Sequence, residues 1–280
     1  MPEDAVSGSP VLGPAGRAAI YAGSCLALPP SAASERVVEA ARQVVERAFL
    51  GPAETAHQRF DGPGFFAALT AARGILATDA ELARSSLAML EELGVSPNAF
   101  AMDRPRLRAV APGGHRVAGT HAAYALHRDT WYANPRAQIN LWVPLRAVSE
   151  RDGLSLYPGA LRTPLANDSE SFDYAAFRRL GGFQSGRSDS PAAYPRLLGS
   201  PPAERTVPPL PRAGRLLFSA AQLHGPTPHD EAHTRFSVDV RVVSRLDHRL
   251  GRGAPRVDDR SRGDASAEYD FGGPPAGAPA

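Results

Sequence analysis

His127 and Asp129 stand two residues apart in the stretch HRDTWYAN. On an extended strand, positions i and i+2 share a face. An imidazole and a carboxylate at that spacing therefore project together and can grip one side of a metal ion, with Arg128 turned away. The same letters also open a protein-kinase catalytic loop, which runs H-R-D, four residues, then N, and Asn134 falls at that place. A kinase further needs a lysine for the phosphates and a glycine-rich loop upstream. All 31 basic residues of this chain are arginine, and no G-x-G-x-x-G precedes His127. The D-F-G at Asp270–Gly272 lies far downstream, in a segment too poor in apolar residues to fold over a nucleotide. The kinase signature has to occur as a set, so the metal reading is preferred.

A third ligand is expected just after a later strand. His224 follows the apolar run GRLLFSAAQL, whereas His229 and His233 sit in a polar loop and read as solvent-exposed. Two histidines and one carboxylate with open positions form the facial ligand set of non-haem Fe(II) oxygenases. Eleven residues after His224, Arg235 opens an alternating strand. Arg235, Ser237, Asp239 and Arg241 share one face; Phe236, Val238, Val240 and Val242 share the other. An inward arginine suits a carboxylate held by two parallel hydrogen bonds, or it pairs with Asp239 on its own strand. Gln138, Asn140 and Trp142 likewise form the polar face of QINLWVPL and are assigned to the interior, near metal or ligand; Trp142 reads equally well as core. Trp131, Tyr132 and Asn134 are placed at a pocket mouth, His121 in the core or pocket, and Arg106 and Arg108 in solvent.

Elements able to position these groups are legible around them. A chain of 280 residues can bury a sizeable core. SERVVEAARQVVERAFL has the periodicity of an amphipathic helix, with Ser34 as its cap, and two more helices follow, the second capped by Thr78 or Asp79 and ended by Gly94. Residues 31–95 are therefore helical. From about 105 to 245, short alternating runs between Pro, Gly and Asp turns predict a barrel, sandwich or jelly roll. AIYAGSCLAL reads as a first strand. Residues 162–212 read as a lid or insertion, and 1–17 and 251–280 as disordered ends around one domain spanning 18–250.

The sequence resembles the Fe(II)/2-oxoglutarate-dependent oxygenases, and most closely their phytanoyl-CoA dioxygenase-like branch. Four features carry the resemblance: H-x-D at His127 and Asp129; GLSLYPGAL at Gly153–Leu161, with Ala160 and Leu161 where that branch has Ser-His; the distal His224; and the R-x-S of Arg235 and Ser237. It implies a mainly β fold with flanking helices around a double-stranded β-helix (jelly roll, cupin-like) core. It also implies Fe(II) held by His127, Asp129 and His224, with 2-oxoglutarate and O2 as cosubstrates. Arg235 and Ser237 would hold the distal carboxylate of 2-oxoglutarate, with an aromatic residue close to Trp142 near it. Related halogenases replace the carboxylate ligand by a small residue; its presence here favours hydroxylation, desaturation or ring closure. The expected activity is oxidation, foremost hydroxylation, of a C–H bond in a small organic molecule, in natural-product biosynthesis. An acyl-CoA or carrier-bound acyl substrate and a non-catalytic jelly-roll binding protein are the alternatives. The absent Ser-His and the scattered arginines weigh against an acyl-CoA.

A formal net charge of +2 without a clustered basic face argues against nucleic acid. One cysteine, Cys25, excludes an internal disulfide and suits a reducing cytoplasm. The apolar run Ala18–Ser34 begins too late for a signal peptide and is broken by Pro29-Pro30 before it could span a membrane.

Overall fold

The ten-residue strand β8 (Arg235–Ser244) is the strand on which most of the sheet is built. In the computed structural model, which describes residues 10–116, 124–179 and 194–269, it pairs antiparallel with β4 (Gln138–Pro144) on one side. On the other it pairs with β2 (Phe100–Met102) and β3 (Arg106–Val110) at different points along its length. Beyond β4 lie β6 (Arg215–Ser219) and β1 (Leu26–Leu28), completing six antiparallel strands. A second sheet pairs β5 (Leu154–Leu156) with β7 (His224–Pro226).

The alternation read from the sequence sorts the large sheet into two faces. Phe236, Val238, Val240 and Val242 join Ile139, Leu141 and Val143 in the principal core, against helices α2 (Ala32–Ala48), α3 (Gly62–Leu76) and α4 (Ala80–Glu92). The other face turns toward the small sheet: Trp142, Leu216 and Phe218 pack with Leu154 and Leu156. Asn140 stands opposite Arg241, and Trp142 opposite Asp239. Gln138, Asn140, Arg235, Ser237 and Arg241 on this inner face are polar and buried.

Several expectations are corrected. The cap of α2 is Ser31, which accepts from the Ser34 amide, while the Ser34 hydroxyl accepts from the Ser31 amide. Ser34 is thus the third helical residue of a capping box rather than the cap itself. Asp79 caps α4 as expected. The first expected strand holds only at its end: its first three residues, 19–21, close helix α1 (Pro14–Tyr21), and β1 begins only at Leu26. Proline in the first turn favours that helix, and Arg17 anchors it through Asp247 at 2.6 Å. Leu12 is buried, so residues 10–17 are packed rather than disordered.

At the other end, the stretch from Gly251 to Tyr269 is also packed, despite its Gly, Pro, Asp and Arg content. Ala254, Ala265 and Tyr269 are buried. Asp258 accepts from the Trp131 indole at 2.8 Å and the Leu165 amide at 3.0 Å. The segment is held by polar contacts to specific partners, which hydrophobic periodicity does not report. Phe172, Tyr174 and Phe177, inside the expected lid, belong with Trp131 and Tyr132 to a second apolar cluster. His121 and Asp270–Gly272 lie outside the described residues.

Candidate active site

Three chain segments converge at the open end of the polar face. His127 and His224 face each other across an isolated antiparallel bridge, each amide donating to the other's carbonyl at 3.0 Å. Gly225 permits this approach, because a Cβ there would lie 2.9 Å from Leu126 Cδ2 and 3.3 Å from the Ala125 carbonyl. The two imidazole centroids are 4.4 Å apart. Asp129 does not continue the strand; it opens a short 3-10 turn, Asp129–Tyr132. The i, i+2 argument therefore brings His127 and Asp129 together through a shorter extended segment than it assumed. Among the described residues, His127, Asp129 and His224 are the cluster able to hold a metal, with one ligand atom from each lying within 4.8 Å of the others.

The donor set is prepared for a cation. His127 Nδ1 contacts the Ala125 carbonyl at 3.0 Å, and His224 Nδ1 the Gln222 carbonyl at 2.9 Å. A carbonyl accepts only from a protonated nitrogen, so both rings carry their proton on Nδ1 and present the Nε2 lone pair. Burial, reinforced by His224, lowers the His127 pKa to about 3 against the pull of Asp129. Burial also lowers that of His224. Both rings are neutral at physiological pH.

Asp129 is buried and charged. Burial opposes its ionisation, but Arg241, the two histidines and Asn140 hold it far below the usual carboxylate range. Its Oδ2 accepts from Gln138 Nε2 at 2.8 Å and Asn140 Nδ2 at 2.6 Å; Oδ1 accepts from Arg241 Nη2 at 3.1 Å. Oδ1 lies 3.8 Å from His127 Nε2. The Tyr269 hydroxyl donates to Gln138 Oε1 at 2.6 Å, which turns the Gln138 amide nitrogen toward Asp129. Gln138 and Asn140 thus sit at the Asp129 carboxylate.

Arg235 and Ser237 lie farther along the same face. The Arg235 guanidinium is buried 5.3 Å above the Trp142 ring and donates to the Gly153 carbonyl at 2.9 Å. It is not paired with Asp239, which accepts from Arg108 at 2.9 Å. Burial lowers the Arg235 pKa to about 10, although the carboxylates of Asp239 and Asp152 oppose the shift. Arg235 Nε and the Ser237 hydroxyl are buried without a hydrogen-bond partner. An orphaned cation and an orphaned hydroxyl two residues apart on one strand face fit a carboxylate ligand.

Other expectations change. Trp131, Tyr132 and Asn134 do not form a mouth: all are buried. Trp131 binds Asp258, Tyr132 donates to the Pro195 carbonyl at 2.7 Å, and Asn134 donates to the Asp129 carbonyl at 2.9 Å. Arg106 and Arg108 are not merely solvated; they stand opposite Asp239 and Ser237 in the β3–β8 register. His229 is buried rather than exposed. The contributions of Arg241 and Tyr269 went unassigned in the sequence reading. The alternation of β8 pointed to Arg241, whereas nothing local pointed to Tyr269.

No protein-family model matches the chain, and no curated protein matches it by sequence. Solved structures do. EvdO2 from Micromonospora carbonacea var. aurantiaca is 16% identical, with 85% of this chain and 92% of that one covered at a TM-score of 0.50. The non-heme monooxygenase ThoJ is 12% identical, with 81% and 77% covered at 0.48. The epimerase SnoN from nogalamycin biosynthesis is 17% identical, with 83% and 84% covered at 0.40. The likeness to EvdO2 is one of fold.

Proposed function

We propose that the protein is a non-haem Fe(II)- and 2-oxoglutarate-dependent oxygenase of the phytanoyl-CoA dioxygenase-like kind. It oxidises, and foremost hydroxylates, a C–H bond of a small organic molecule in natural-product biosynthesis. The observation that carries the reading is the coexistence of two matched vacancies of hydrogen bonding on one polar face. One is the His127–Asp129–His224 set with its free Nε2 atoms. The other is the unpartnered Arg235 Nε and Ser237 Oγ. EvdO2, which shares the fold, has been crystallised with 2-oxoglutarate. The two sheets are read as the halves of a double-stranded β-helix enclosing that face.

His127, Asp129 and His224 would hold Fe(II), and Arg235 with Ser237 the distal carboxylate of 2-oxoglutarate. The bound iron supplies the coupling of 2-oxoglutarate and O2 to substrate oxidation, yielding succinate, CO2 and, in hydroxylation, an alcohol. The chain supplies placement. Asn140, Gln138 and Arg241 keep the Asp129 carboxylate charged and fixed in orientation. Trp142 floors the Arg235 guanidinium. Phe218, 4.8 Å from the His224 ring, and Tyr132, edge-on to His127 at 5.4 Å, exclude water from the two imidazoles.

The test is anaerobic addition of Fe(II) and then 2-oxoglutarate to the purified protein. A visible charge-transfer band is expected. It disappears in His127→Ala, and Arg235→Ala needs at least about tenfold more 2-oxoglutarate, as befits a lost charge-assisted pair. A folded wild type with no band would remove the proposal.

A further inference from the structure

Most guanidiniums on and beside the inward face have a carboxylate partner. Arg241 is matched by Asp129, Arg106 by Asp103 at 2.7 Å with Glu268 at 3.8 Å, and Arg108 by Asp239 at 2.9 Å. Arg235 is assigned above to 2-oxoglutarate. Arg73, on α3, remains. Its Nε donates to the Leu107 carbonyl of β3 at 3.0 Å, and among the described residues no carboxylate lies within ion-pair distance of it. It is half-buried, and the carbonyl it holds belongs to the residue that precedes Arg108 on β3. Burial, with the like charge of Arg108 adding to it, lowers its pKa to about 10. A partly desolvated guanidinium next to a second one is an unfavourable arrangement unless an anion joins it.

Arg108 connects this rim to the centre. It stands opposite Ser237, on the face that carries Arg235, in the strand register. Only its Nε is used, by Asp239; its two terminal nitrogens make no hydrogen bond among the described residues. Its side chain is 38% exposed, in contrast to the buried Arg106, Arg235 and Arg241 side chains. Arg108 thus reaches solvent at this edge of the polar face. Two guanidiniums with free donors at an opening beside an iron site match the geometry that carboxylates and phosphates seek.

We infer that Arg73 and Arg108 form an anion subsite at the rim of the polar face, and that the substrate oxidised there carries a carboxylate or a phosphate. The inference rests on the proposed function for the reaction, but the subsite itself is independent of metal. Arg73 and Arg108 act by binding and orienting the substrate.

The test uses benzoate, phenyl phosphate and neutral methyl benzoate as probes, titrated by calorimetry into protein loaded with Mn(II) and 2-oxoglutarate. Loading is first verified by Mn(II) paramagnetic resonance, and that step alone judges the proposed function. The titration is repeated on metal-free Arg235→Ala protein, where the cosubstrate anchor cannot capture the probes. Benzoate or phenyl phosphate is expected to bind and the ester not to. The dissociation constant should rise about tenfold in Arg73→Gln and in Arg108→Gln, the size of one lost charge-assisted contact. Arg73→Gln leaves every ion pair described above intact, so it remains informative if Arg108→Gln, which strips Asp239 of its partner, folds poorly. Comparable binding of acid and ester, unchanged affinity in Arg73→Gln, or no binding of either acid up to about 20 mM, an affinity too weak for a built site, would overturn the inference. A carboxylate preference against a phosphate preference then assigns the source of the anion.

Discussion

At the residue scale, the candidate metal centre is a set of groups whose protonation states are imposed by their surroundings. Asp129 is ringed by Gln138, Asn140 and Arg241, and each donor is itself fixed by its place on β4 or β8. The histidines are held neutral, and this has a consequence for stability. In the unfolded chain a histidine titrates near 6.5, whereas in the folded protein His127 does so at about 3 and His224 is lowered as well. The unfolded state therefore takes up protons first as the pH falls. Stability is fully present above about pH 6.5 and falls as the pH drops: for His127 the loss runs toward pH 3 at about 1.4 kcal/mol per pH unit, and His224 adds to it in the same direction. Urea unfolding of the metal-free protein at pH 7.5 and 5.5 should show this decline. His127→Ala and His224→Ala should each make it shallower. Equal stability at both values in the wild type would contradict the assigned environment.

At the scale of elements, the site depends on parts of the chain far from it in sequence. The apolar face of β8 is backed by the helical layer: Phe49 sits 5.4 Å from Phe236, the residue between Arg235 and Ser237, and 4.9 Å from Phe65. The segment 251–269 closes the structure from the other side. Asp258 gathers the Trp131 indole, the Leu165 amide and the Arg128 guanidinium, whose Nε lies 3.3 Å away. Arg128 itself donates to the carbonyls of Ala160, Leu161, Thr163 and Ala221. The residue between His127 and Asp129 is thus a buried clamp on the surrounding loops. Asp258→Ala leaves this cation without its carboxylate and the indole without an acceptor. It should cost about 3 kcal/mol in urea unfolding, with a larger loss of Fe(II) affinity than a surface control such as Glu81→Ala. A change below about 0.5 kcal/mol, the range of ordinary surface substitutions, would show that the C-terminal segment does not support the ligands.

For the whole molecule, occupancy should be read out as stability. Ligands that bind only the folded state stabilise it by mass action, by about 2.7 kcal/mol at a concentration of 100 Kd. Mn(II) should raise the thermal midpoint, and 2-oxoglutarate should raise it further only when Mn(II) is present. In Arg235→Ala the first increment should persist and the second should shrink. An increment from 2-oxoglutarate that survives in Arg235→Ala would place the cosubstrate elsewhere. No helix among the described residues is long and apolar enough to cross a membrane.

Sequence alone determined what local rules can carry. The alternation of β4 and β8 assigned Gln138, Asn140, Arg235 and Ser237 to one face, because side chains of a strand point to alternate sides. Helical periodicity placed α2, α3 and α4. The spacing of His127 and Asp129 proposed a ligand pair, and His224 followed from the apolar run before it. Tertiary structure decided the rest. Helix α1 took the first residues of an expected strand, and Arg17 ties that helix to Asp247, 230 residues away. Trp131 and Tyr132 became core because Asp258 and the Pro195 carbonyl satisfy their polar ends. The C-terminal segment, whose Gly, Pro, Asp and Arg content suggested disorder, contributed Tyr269 to the network around Asp129. Arg108 was drawn inward by Asp239. These outcomes share a physical reason. Each depends on a polar or charged group meeting its one complement across a long stretch of chain, and such pairings leave no periodic trace in the sequence. They are selected only when folding removes water from both partners and makes an unpaired group costly.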